Sequence, residues 1–200
     1  MIRVRDDDVL LSSSMWDKRR GSFDRFSRVH RWISEFPQSF IHVPTILVTE
    51  IQAYPECIEF VREQTAQGLM IPEIHGLEHI DYGKLTAKEV ESHLGQCIDW
   101  FDKNLQWEPT KFYTPWGGMS QAIAEGATAC GLTAHGVDLR HTLESYTKRL
   151  GAGEPISILE GNEVFMHWWN KGIRLKRVAM AVKHGSWQAA AEAPDSKEYF

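Results

Sequence analysis

Four clusters in the chain hold residue types that can make and break bonds: Asp6-Asp7-Asp8, His75-Gly76-Leu77-Glu78-His79, Phe112-Tyr113-Thr114-Pro115-Trp116-Gly117 and Phe165-Met166-His167-Trp168-Trp169. His75 and His79 stand four residues apart, which on one helical turn points both imidazoles the same way. Two neutral imidazoles and one carboxylate make an open zinc-type site with room for water. Three adjacent carboxylates repel one another unless a cation or a proton-accepting role uses them. A solvated cap cluster is the plainer reading of the triplet. His167 follows an apolar strand, where a satisfied core histidine is the plainer reading. Trp116, Trp168 and Trp169 are core, or rim residues whose flat apolar faces stack on sugar rings.

These clusters fall at the ends of predicted strands. Ile2–Arg5 reads as a strand that stops at the Asp triplet, because Asp is a poor strand former. Residues 22–36 follow as an amphipathic helix with Phe26, Val29, Ile33 and Phe36 on one stripe. Residues 40–48 are a strand that Pro44 can bend. Residues 55–67 are a helix with Pro at its start and Gly68 after its end. Leu69–Ile74 is a strand leading into His75. Residues 86–104 are the clearest helix, with Thr86 and Glu89 as a capping box and Val90, Leu94, Cys97, Phe101 and Leu105 as its buried stripe. Strands at 111–114, 133–137 and 164–167 alternate with helices at 120–130, 142–150 and 172–183. Such alternation implies a parallel sheet with crossover helices, whose site lies at the C-terminal strand edge. No G-x-G-x-x-G follows the first strand, so a dinucleotide site is not indicated.

The composition agrees with one globular domain spanning residues 1–200. The chain has 200 residues, a net charge of −5, nine His and eight Trp. An acidic balance argues against a broad nucleic-acid surface, and no nucleic-acid partner is expected. No apolar run approaches the ~20 residues of a membrane span, so no membrane partner is expected either. Cys57, Cys97 and Cys130 are odd in number and form no C-x-x-C, which argues against a disulfide framework. With no apolar leader after Met1, a cytoplasmic location is expected.

The order of the clusters resembles the polysaccharide deacetylase family, metal-dependent carbohydrate esterases that remove N- or O-acetyl groups from glycans. The resemblance runs from about Ile2 to Trp168 and is densest over Ile74–Gly118. It implies an α/β fold, a distorted, incomplete (β/α) barrel of about seven strands, TIM-barrel-like but abbreviated. It implies Asp7 as general base and Asp8 as metal ligand, with Asp6 and Asp7 as the competing register. By the same resemblance, His75 and His79 complete the metal site and His167 is the general acid. The turn Tyr113-Thr114-Pro115-Trp116 then contacts substrate, with the Trp116 N–H as oxyanion donor and Trp168 at the rim. Tyr113 stands where the family has an Arg that pairs with the base; Arg5 or Arg140 is the replacement to look for. The fourth motif falls near Asp138-Leu139-Arg140, without its usual aromatic partner.

The function implied is a metal-dependent hydrolase that removes acetyl groups through a metal-activated water, with Asp7 as base and His167 as acid. Zinc is the expected cation, with cobalt, nickel or manganese as alternatives, and an acetylated glycan or sugar-derived small molecule the expected partner. Two other functions fit the same residues: a de-N-acylase of a small amide or nucleotide sugar, and a sugar-binding module that has lost catalysis.

Overall fold

The computed structural model describes residues 1–9, 23–167, 177–178, 180–183 and 185–186. Its first strand, β1 (Ile2–Val9), does not stop at the Asp triplet but runs through it. The low strand propensity of Asp is overridden because each carboxylate has a dedicated partner, described below. Helix α1 (Phe23–Ser34) comes next, then β2 (Phe40–Leu47). Pro44 lies inside β2 without ending it. Ladder pairing of β2 with β3 begins at Thr45, just past the residue that lacks an N–H. A short α2 (Val48–Ile51) and α3 (Pro55–Ala66) lead to β3 (Glu73–Gly76). β3 thus starts later than the hydropathy pattern predicts and includes His75. Next come α4 (Ala87–Leu105), β4 (Lys111–Tyr113), α5 (Gln121–Ala129), β5 (Thr133–His135), α6 (Leu143–Gly151) and β6 (Glu163–His167). Of the predicted last helix, residues 177–178 and 180–183 are helical and the remainder lies outside the described residues.

Six strands are present among the described residues, in the order β5-β4-β3-β2-β1-β6. The pairs β2/β3, β3/β4 and β4/β5 are parallel. Strand–helix alternation around a parallel sheet is the incomplete (β/α) barrel expected from the sequence.

Packing divides the chain into two units. The first comprises residues 1–6, 24–43 and 139–200, and its core gathers Ile2, Val4, Ile33, Phe40, Leu143, Tyr146, Leu150, Leu159, Val164 and Met166. The second comprises residues 7–23 and 44–138. Its core is built on α4, whose predicted stripe of Val90, Leu94, Cys97, Phe101 and Leu105 is fully buried. The capping box is formed: Thr86 N–H donates to Glu89 Oε2 at 2.8 Å and Glu89 N–H to Thr86 Oγ1 at 3.3 Å. The helix ends at Gln106, whose left-handed backbone (φ 52°) is the usual helix stop.

Helix α5 lies close against α4 because Gly126 has no side chain. A Cβ there would come within 2.7 Å of the Ala87 carbonyl oxygen and of the Val90 side chain. Gly95, in α4, has nothing within 4 Å of its Cβ position. Gly126→Ala is therefore expected to lower unfolding free energy by about 1–2 kcal/mol, overpacking outweighing the helix-propensity gain. Gly95→Ala should raise it by about 0.5–1 kcal/mol. Urea unfolding of the two variants measures both, and equal behaviour would mean that the α4–α5 contact is not tight.

Candidate active site

Consecutive carboxylates on β1 meet three different sets of partners. Asp6 lies in the first unit, fully buried, with its Oδ2 3.4 Å from His42 Nε2. His42 Nδ1 is 3.1 Å from His30 Nδ1, and His30 Nε2 is 3.0 Å from Ser34 Oγ. Ser34 Oγ also donates to the His30 carbonyl at 2.9 Å. Burial first, and His30 second, hold His42 well below the ordinary histidine range.

Asp7 and Asp8 lie in the second unit. Asp7 is buried, and its Oδ1 accepts a hydrogen bond from Thr45 Oγ1 at 2.9 Å, a partner on β2. Asp8 has a left-handed backbone, φ 57°, which Asp tolerates better than most residues. Its Oδ1 lies 2.9 Å from His75 Nε2 and 3.0 Å from His79 Nε2. The three side chains offer ligand atoms all within 4.8 Å of one another.

The two histidines reach this point by different routes. His75 belongs to β3, and His79 lies in the bend after it, so H-x-x-x-H is not a helical turn as its spacing suggests. The chain reverses at Gly76, φ 138°, a backbone open only to glycine. Tyr82 walls that bend: a Cβ on Gly76 would sit 2.8 Å from its hydroxyl oxygen. The Tyr82 hydroxyl accepts from Leu77 N–H at 2.9 Å, and its ring packs on Phe112 at 4.9 Å.

His75 Nδ1 is 2.8 Å from the Tyr113 carbonyl oxygen. The carbonyl can only accept, so Nδ1 carries a proton and Nε2 is the nitrogen that faces Asp8. In neutral His75 the Nε2 lone pair would face the Asp8 carboxylate oxygen at 2.9 Å, where a cation would offset their repulsion. That donor set, oriented from behind by a backbone carbonyl, fits a divalent cation held by Asp8, His75 and His79.

Beyond β4 the chain makes the Pro115–Gly117 turn. Thr114 N–H donates to the His135 carbonyl at 2.9 Å and Gly117 N–H to the Thr114 carbonyl at 3.0 Å. Trp116 at its apex has φ 60° and is 60% exposed, with its ring 4.8 Å from His79 in an edge contact. Pro115 is buried in the same turn. Tyr113 is buried, stacked on His135 at 5.2 Å with its hydroxyl 3.3 Å from Lys111 Nζ.

The other residues singled out from sequence lie as follows. Arg5 is in the first unit, 3.3 Å from Glu163 Oε1, with its guanidinium 4.5 Å over the Phe165 ring. Asp138 is half-buried after β5, and Arg140 is exposed in the turn Leu139–His141. His167 closes β6 in the first unit, while Trp168 and Trp169 lie outside the described residues. Sequence reasoning missed Thr45, Tyr82 and the His30–His42 pair. A Thr and a His inside the apolar run of β2 were the available signal.

The parallel β/α fold thus carries an aspartate–two-histidine cluster whose ligand atoms could hold a metal ion. Residues 45–135 match the polysaccharide deacetylase family. This is the family that the order of the sequence clusters resembles. Among solved structures it is similar to a family 4 carbohydrate esterase from Streptomyces lividans in complex with acetate, at TM-score 0.64 and 15% identity, covering 92% of this chain and 89% of that one. It is also similar to the peptidoglycan deacetylase PdaC from Bacillus subtilis, at TM-score 0.60 and 12% identity, covering 96% and 91%. A CE4 family pseudoenzyme from Bacillus anthracis is a third, at TM-score 0.62 and 10% identity, covering 92% and 59%. No curated protein matches the sequence. No helix among the described residues is long and apolar enough to cross a membrane.

The buried Asp6–His42–His30 row gives a pH prediction. Below about pH 6.5 the unfolded chain protonates a histidine that the fold keeps neutral. This contribution to stability is present above that pH and is lost as pH falls below it, by up to about 1.4 kcal/mol per pH unit. Urea unfolding between pH 7.5 and 5.5 should show the loss in the wild type and a shallower slope in Asp6→Asn/His42→Leu. Equal slopes would mean that His42 is not neutral in the fold.

Proposed function

We propose that the chain is a metal-dependent deacetylase that removes acetyl groups, N-acetyl by preference, from a glycan or sugar derivative. The observation that carries this reading is the meeting of Asp8, His75 and His79, with the His75 tautomer set by the Tyr113 carbonyl. A cation bound there supplies Lewis acidity and brings the pKa of water toward ~7. Zinc suits the two-imidazole, one-carboxylate set, and cobalt, nickel and manganese are accepted by the same ligand types.

The protein's own residues divide the rest of the work. Asp7 is the general base, one residue from the ligand Asp8. It takes the proton of the attacking water. The Trp116 N–H, in a turn whose apex touches His79, donates to the oxyanion, and one such donor is typically worth ~3 kcal/mol. Trp116 also offers an exposed apolar face for a sugar ring, while Tyr113 and Pro115 pack the turn beneath it. His167 protonates the departing amine; this role rests on motif order.

A sugar-binding module without catalysis is the second reading, favoured by the burial of Tyr113 where the family carries its charge partner for the base. Two variants separate the readings. His75→Ala should lose the stoichiometric zinc that the wild type retains after dialysis. Asp7→Asn should keep that zinc and lose at least ~10²-fold in kcat for acetate release from an acetylated chitooligosaccharide, the usual scale of general-base loss. A wild type that binds zinc and glycan but releases no acetate from glycans or small acetyl amides supports the binding module instead.

A further inference from the structure

We infer that Thr45 is the positioning residue for the Asp7 carboxylate. This inference rests on the proposed function for its consequence in catalysis, and on geometry alone for the orientation itself. Thr45 is 0% exposed and Asp7 is 3% exposed. A carboxylate buried so deeply needs donors with fixed geometry. The hydroxyl of Thr45 supplies one at 2.9 Å to Oδ1. That bond fixes the rotation of the carboxylate and so decides where Oδ2 points.

The donor is itself held rigidly. A β-branched residue in a strand has restricted χ1, so the hydroxyl direction is set by the backbone. That backbone is paired, Thr45 opposite Glu73 in the β2/β3 ladder. Glu73 is 1% exposed and ties β3 to β4, accepting from Thr110 N–H at 2.9 Å and from Lys111 N–H at 2.8 Å. Two residues along β3 from Glu73, on the same face by strand alternation, stands His75. One strand pair therefore sets both the imidazole of the metal cluster and the donor that orients the neighbouring base. Thr45 contributes a neutral donor to Asp7, so it orients the carboxylate without adding a cation beside it.

The test compares Thr45→Val, which keeps shape and removes the hydroxyl, with Thr45→Ser, which keeps the hydroxyl. Crystal structures of zinc-loaded wild type and both variants should show the Asp7 carboxylate plane rotated or split in Thr45→Val and unchanged in Thr45→Ser. With 4-nitrophenyl acetate as probe, Thr45→Val should lose about 10-fold or more in kcat, with KM within twofold and zinc stoichiometry intact. Thr45→Ser should stay within about threefold of wild type. An unrotated carboxylate in Thr45→Val overturns the inference whatever the activity. So does loss of zinc or of folding in Thr45→Val with wild-type behaviour in Thr45→Ser, because Thr45 is then structural. A wild type with no acetyl hydrolysis but the predicted rotation sinks the proposed function and leaves the orientation role standing.

Discussion

Two imidazole nitrogens converge on one carboxylate oxygen in the second unit. His75 Nε2 and His79 Nε2 lie 2.9 and 3.0 Å from Asp8 Oδ1, and the Tyr113 carbonyl behind His75 keeps its proton on the far nitrogen. Most of what is unusual in the second unit follows from making that convergence. Asp8 adopts a left-handed backbone, and Gly76 adopts a backbone no other residue tolerates. Tyr82 fills the space under the bend and receives its free amide. β4 contributes a carbonyl to the cluster while its own pairing with β3 runs through Ile74 and Phe112.

The same constraint explains how a strand holds three consecutive aspartates. Side by side they would repel in a low-dielectric setting and drive one another's protonation. Each instead meets a different kind of neighbour: Asp6 an imidazole, Asp7 a hydroxyl, and Asp8 the imidazole pair. The imidazole row at Asp6 belongs to the first unit. It ends in Ser34 on α1, so it ties helix to strand and leaves the carboxylate beside it to the hydroxyl of Thr45.

What the sequence made legible was local or ordered along the chain. The α4 capping box and stripe are visible because helix periodicity and capping are short-range properties. The Asp8–His75–His79 cluster was reachable through motif order. The route to it was not, since a spacing of four suits a helical turn and a strand followed by a glycine bend equally well. Strand β1 was read too short because propensity treats Asp alone, whereas partners 36 and 38 residues away, His42 and Thr45, stabilise it. Those partners lie in an apolar run, and whether a polar residue there faces core or site is decided by ladder register.

Backbone strain completes the argument for where the site lies. Among the described residues, three non-glycine residues have positive φ: Asp8, Gln106 and Trp116. Gln106 is a helix stop, where that conformation is ordinary. The other two meet at His79, one through its carboxylate and one through its ring. A left-handed conformation costs roughly 1–2 kcal/mol per L-residue, and for a residue as bulky as Trp it is an outlier. Folding alone would place glycine at both positions. Glycine can supply neither the Asp8 carboxylate nor the exposed Trp116 indole, so the strain falls where these two side chains meet His79.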